Sequence, residues 1–135
     1  MGIIVPAIIP TSFADLRDKL AVFEGVTSDI QIDIVDGVYA MPASWPYTGD
    51  PAEPSRMLSN GELLPGVGDF RFEIDLMSAD PEVSAGTWIG LGAVRLTVHA
   101  ESTRFLGRFF ESTKTLFGHD KGFASGLLSL GLAIG

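Results

Sequence analysis

Residues 29–40 read DIQIDIVDGVYA. Ile30, Ile32 and Ile34 alternate with Gln31, Asp33 and Val35, and strict alternation marks a strand with two unlike faces. The isoleucine row is expected to pack under helices. The row that carries Gln31 and Asp33 is then expected to point into an enclosed, hydrated centre. Asp36-Gly37 ends the strand in a tight turn.

The same two-faced pattern occurs twice more. In FRFEIDLM, Phe70, Phe72, Ile74 and Leu76 oppose Arg71, Glu73, Asp75 and Met77. In VRLTVHAE, Val94, Leu96, Val98 and Ala100 oppose Arg95, Thr97, His99 and Glu101. Two apolar runs flank these segments: Ile3–Ile9, which reads as a buried strand, and Leu127–Ile134, which reads as the last strand. Pro6 weakens the first as a ladder, and Gly131 lies inside the second.

Helical signals fall between the strands. Ser12 to Asp15 resembles a capping box, followed by Phe13, Leu16, Leu20 and Phe23 at helical spacing and a stop at Gly25. Ser55–Leu64 reads as a short helix weakened by Gly61 and Pro65. Pro81 opens a helix to Trp88. Ser102 reads as the cap of a helix with Phe105, Phe109 and Leu116 on one stripe and Gly118 after it. His119 to Gly126 reads as a connector. Prolines 42, 46, 51 and 54 with Gly49 make Tyr39–Pro54 a loop. Its Trp45 and Tyr47 either cover a barrel mouth or hydrophobic edge, or form an active-site lid.

Strands that alternate with helices in this way indicate a parallel α/β sheet with right-handed crossovers. A doubly wound sheet needs strands apolar on both faces. Three strands here are apolar on one face only, which favours a TIM (β/α)8-type barrel of which about five strands are present. Its strand ends would gather Asp33, Asp75 and His99 at the C-terminal mouth.

Length and composition set the remaining bounds. The 135 residues suffice for a single domain with one core, and 46% hydrophobic content indicates a folded chain. A net charge of −8 argues against nucleic acid and anionic membrane surfaces as partners. The absence of cysteine excludes disulfides and thiolate metal sites. The opening residues do not read as a secretory leader, and the run Gly126–Gly135 is too short to span a bilayer, so the expected compartment is the cytoplasm. No P-loop or G-x-G-x-x-G fingerprint occurs.

The segments together resemble the ribulose-phosphate 3-epimerase family. PAIIPTSFADL from Pro6, QIDIVDG, EIDLMSADPE, VHAES and GLAIG follow one another as that family's first five strands do. The resemblance implies the N-terminal portion of a ribulose-phosphate-binding TIM barrel that epimerises a pentose phosphate. Protons move between two aspartates at the carbon beside a carbonyl, and a divalent metal, zinc or iron in the family, steadies the enediolate. By this resemblance Asp33 is a metal ligand and acid/base, and Met77 and His99 contact the substrate.

Departures from the family pattern are specific. Gln31 and Asp75 stand where the family has histidine ligands, Ala7 replaces a serine, and Val35 replaces a methionine. The second catalytic aspartate and the phosphate-binding glycines belong to strands beyond these five. If Gln31, Asp33 and Asp75 share an ion, its donors are all oxygens, which favours Mg²⁺ or Mn²⁺. The alternatives are structural. Asp33 would be a buried carboxylate paired with Arg71 or Arg95, Asp75 would be neutralised by Arg95, and His99 would be a hydrogen-bonded core histidine. The runner-up function is an inactive half-barrel that self-associates or binds a partner through open sheet edges. A related phosphosugar decarboxylase would need Asp-x-Lys-x-x-Asp, and QIDIVD has no lysine.

Overall fold

Alternation sorts the strand side chains onto two faces, and the helices cover one of them. The computed structural model describes residues 3–117 and 129–134. The elements are β1 (Ala7–Ile8), α1 (Phe13–Phe23), β2 (Asp29–Val35), α2 (Glu53–Ser59), β3 (Arg71–Met77), α3 (Pro81–Gly90), β4 (Ala93–His99), α4 (Leu106–Phe117) and β5 (Ser129–Ala133), with a 3₁₀ turn at Ala100–Ser102 after β4.

All five strands pair in parallel, in the consecutive order β1-β2-β3-β4-β5. Ile30, Ile32 and Ile34 of β2, Phe72, Ile74 and Leu76 of β3, and Leu96 and Val98 of β4 are all buried. They share one core with Leu16 and Leu20 of α1, Met57 of α2, Ala85, Trp88 and Ile89 of α3, and Phe109 of α4. The isoleucine row therefore lies under the helices, as the alternation requires. At roughly 25 cal/mol per Å² of apolar surface removed from water, this shared face is the main source of stability.

Among the described residues the sheet is not closed. The polar row is accordingly half-buried on the opposite face instead of sealed inside a centre. Several local expectations also need correction. Ile3–Ile9 is not a buried strand. Only Ala7 and Ile8 pair, and Ile3 and Ile4 are exposed. Pro6 has no N–H to give a ladder, and its carbonyl instead accepts from Gln31. The second helix runs over Glu53–Ser59, with Pro54 in its first turn, and ends before Gly61 at φ +74°. Ser102 does not cap α4. Its hydroxyl donates to the His99 carbonyl, and Thr103 Oγ1 accepts from the Phe105 N–H. Phe109 is buried, but Phe105 is exposed. The expectations for Gly118 and for the His119–Gly126 connector lie outside the described residues.

Trp45 is a core residue. It is 2% exposed, packs on Trp88 at 5.7 Å and Phe13 at 5.6 Å, and donates its indole N–H to Glu53 at 2.7 Å. The proline-rich loop is thus pinned by its tryptophan. Ser44, fully buried, ties the same loop to β2. Its hydroxyl accepts from the Val35 N–H at 2.9 Å, and the Asp33 carbonyl lies 3.1 Å away.

Candidate functional site

Parallel register decides which polar side chains meet. Asp33 of β2 lies directly opposite Asp75 of β3, and Asp75 lies opposite Thr97 of β4. One step toward the N-terminal ends, Gln31 opposes Glu73, and Glu73 opposes Arg95. One step toward the C-terminal ends, Val35 opposes Met77, and His99 opposes Ala133 of β5. Side chains repeat every second residue along a strand, so these groups share one face.

Two hydrogen bonds organise the centre. Gln31 Nε2 donates to Asp33 Oδ1 at 2.8 Å. His99 Nε2 lies 2.8 Å from Asp75 Oδ1, each side chain being 21% exposed. An ionised carboxylate only accepts, so in a bond to one the imidazole Nε2 is the donor. Burial raises the Asp33 carboxyl above its ordinary range, and the negative charge of Asp75 adds to this. Gln31 and His99 oppose the shift without cancelling it.

The arginine partners expected from sequence are not the ones found. Arg71 is exposed and pairs with Asp29 at 2.7 Å, at the opposite end of β2 from the turn. Arg95 is exposed on the row of Gln31 and Glu73, one step from Asp33 and Asp75. Gly131 fits this corner because any Cβ there would lie 2.7 Å from Thr97 Oγ1 and 3.4 Å from the Arg95 guanidinium.

Three contributors were not legible as site residues. Tyr39 packs against the His99 ring at a tilt, with centroids 5.6 Å apart and planes at 54°. Its hydroxyl lies near enough to the Glu101 carboxylate to feel its charge. Burial and the Glu101 charge together raise the Tyr39 pKa. Asp36 accepts from the Val38 N–H at 2.8 Å, the Tyr39 N–H at 2.7 Å and the Ala79 N–H at 2.8 Å. Burial pushes its carboxyl up, but the backbone donors outweigh burial and hold it below the usual range. The sequence signal was the aromatic two residues after Asp-Gly, which reads equally well as a turn flanked by a surface residue.

For a divalent ion, the chemistry of the donor set is suitable. Asp33 and Asp75 face one another across adjacent strands, and Gln31 lies beside Asp33. Hard cations such as Mg²⁺ accept one or two carboxylates with water completing the shell. Among the described residues no three His, Cys, Asp or Glu side chains group to hold a metal. An ion here would therefore draw its third protein oxygen from Gln31.

A groove of about 810 Å³ runs between α3 and α4 on the helical side, lined by Phe105, Arg108 and Phe109 among others, and touches none of these residues. Among the described residues no helix is long and apolar enough to cross a membrane. Compared with protein-family models and with curated proteins, the chain matches neither any family model nor any curated sequence.

Proposed function

We propose that this chain carries the proton-transfer site of an epimerase-like isomerase of the ribulose-phosphate 3-epimerase type, acting on a pentose phosphate beside its carbonyl. The observation that carries this reading is the direct opposition of Asp33 and Asp75, with Asp75 tied to His99. Removing a proton from the carbon next to a carbonyl needs a base whose pKa is moved toward neutrality. Asp33 is shifted in that direction by burial. Epimerisation also needs a proton returned to the other face of that carbon. His99, oriented by Asp75 as a carboxylate orients a catalytic imidazole, is a second group able to move a proton. Met77 lies one residue pair from the carboxylates, in position to contact the substrate. The consecutive strand order and the one-sided helical layer support a segment of a (β/α)8 barrel as the scaffold.

A divalent ion would be held by Gln31, Asp33 and Asp75, and when bound would stabilise the oxyanion of the enediolate. It would compete with the Gln31 amide and with His99 for the same carboxylate oxygens. Titration with Mn²⁺ should show binding that Asp33→Asn removes. Absence of such binding would leave the proton chemistry to the side chains alone.

Ribulose 5-phosphate in D₂O is the direct test. The protein should exchange the hydrogen on carbon 3 with solvent, and Asp33→Asn should slow this by at least about 10²-fold. No exchange above the buffer rate sinks the reading.

A second reading, self-association of an inactive half-barrel, is favoured by the apolar side chains at the two ends of the sheet. Ile3 and Ile4 before β1, and Leu132 and Ile134 at β5, are all exposed.

A further inference from the structure

The geometry assigns Asp36 and Tyr39 as positioning residues of this site: Asp36 is a latch between two loops, and Tyr39, hung from the latch, holds the His99 ring toward Asp75. This goes deeper into the isomerase reading and rests on it for the catalytic consequence alone.

The latch begins as a turn. Asp36-Gly37 follows β2, and Gly37 takes φ +78°, a backbone region that disfavours a Cβ. An added Cβ would also lie 3.1 Å from the Ala43 side chain, so the loop folds closely over the glycine. That turn directs Asp36 Oδ1 at the next two backbone N–H groups it can reach, on Val38 and Tyr39. Oδ2 points away to Ala79, 43 residues on, in the loop that follows β3. One carboxylate therefore joins the C-terminal ends of two neighbouring strands. The Asp36 N–H adds a bond to the Met77 carbonyl at 3.2 Å, which fixes the same junction from the backbone side. Bonds from backbone N–H groups to a charged acceptor are the strong kind.

Tyr39 extends the restraint to β4. With its N–H on Asp36, its ring reaches His99 at the end of β4. His99 is then held on two sides, by Asp75 from β3 and by Tyr39 from the β2 loop. An imidazole held by one hydrogen bond alone can swing about that bond. A ring packed against it restricts this freedom, which is how supporting residues keep a proton-transfer group aligned.

NMR and isotope exchange together test the assignment. The chain has two histidines, so a His99→Gln spectrum identifies the His99 ring protons. Tyr39→Leu should remove the ring-current shift on those protons, whereas Tyr39→Phe should retain it. Asp36→Asn cannot accept all three N–H groups, since its amide nitrogen is itself a donor. It should lower the protection of the Tyr39 or Ala79 amide by about tenfold to a hundredfold and alter the His99 shift. With ribulose 5-phosphate, Tyr39→Leu should cut kcat about tenfold with KM little changed, and Tyr39→Phe should restore most of it. An unchanged His99 shift in Tyr39→Leu overturns the assignment, as does unchanged amide protection in Asp36→Asn. If Asp36→Asn does not fold, the Tyr39 pair still decides. Intact NMR responses with no exchange by the wild-type protein overturn the isomerase reading and leave the latch standing.

Discussion

At the scale of single residues, the site is a set of side chains forced together by register. Asp33 shows what that costs. Its carboxyl is raised mainly by burial and next by Asp75, so the native state binds its proton more tightly than the unfolded chain does. For an acid raised in this direction, stability falls as pH rises from the unfolded value, ordinarily about 3.9, through the folded one. The penalty grows as pH rises through that window. Asp33→Asn keeps an oxygen for the Gln31 amide and removes the charge. It should therefore raise Tm at pH 7 while abolishing proton exchange, and the gain should disappear below about pH 3.9. Thermal melts of both proteins across that range check the sign. A variant less stable at neutral pH would mean that ionised Asp33 is a net structural contributor. Asp36 runs the opposite way. Backbone N–H groups hold its carboxyl low, so its contribution is present above the ordinary carboxylate range and lost as pH falls through its depressed value.

Elements respond to shorter-range rules, and those were the rules most legible in the sequence. The first helix begins where the capping signal places it. Ser12 Oγ accepts from the Asp15 N–H at 3.0 Å, while Asp15 reaches back to the Thr11 N–H at 2.8 Å. Ser12→Ala should cost about 1 kcal/mol, measured by urea unfolding, and Ser12→Asp should recover most of it. A loss below a few tenths of a kcal/mol would show that burial of Leu16 and Leu20 alone sets this helix. The alternation in β2, β3 and β4 was legible for the same reason: period two is fixed by backbone geometry, whatever the tertiary surroundings. The illegible parts depend on partners distant in sequence. Trp45 reads as cover for a barrel mouth or hydrophobic edge, or as a lid, because nothing near it reveals Trp88 and Phe13. Ser102 does not cap α4 because the 3₁₀ turn occupies its hydroxyl with the His99 carbonyl, and Thr103 bonds the Phe105 N–H just ahead of the helix. Within the site, Asp33, Asp75 and His99 were visible as one row. The Asp75–His99 bond and the contact of Tyr39 with the His99 ring depend on strand register and on a loop path that no local pattern encodes.

For the whole molecule, the open sheet is the deciding feature. Five parallel strands with helices on one side leave β1 and β5 with unpaired outer edges among the described residues. Such edges template pairing with other chains unless charge or cover blocks them. Here β5 and the residue after it expose Leu132 and Ile134 at one side of the sheet, and the segment before β1 exposes Ile3 and Ile4 at the other. The net charge of −8 opposes association through the acidic face but is a weak barrier at an apolar edge. Sedimentation velocity across a hundredfold concentration range should show a dimer or larger species, and Leu132→Lys should weaken it by at least about tenfold, as an inward or edge lysine blunts strand pairing. Higher salt should strengthen association by screening the acidic surfaces, since exposed charges separated by more than about 8 Å are largely screened at physiological ionic strength. A monomer at every concentration would remove the self-association reading. It would leave the isomerase reading to stand or fall on proton exchange, because the Asp33–Asp75–His99 cluster is built from β2, β3 and β4, the three central strands.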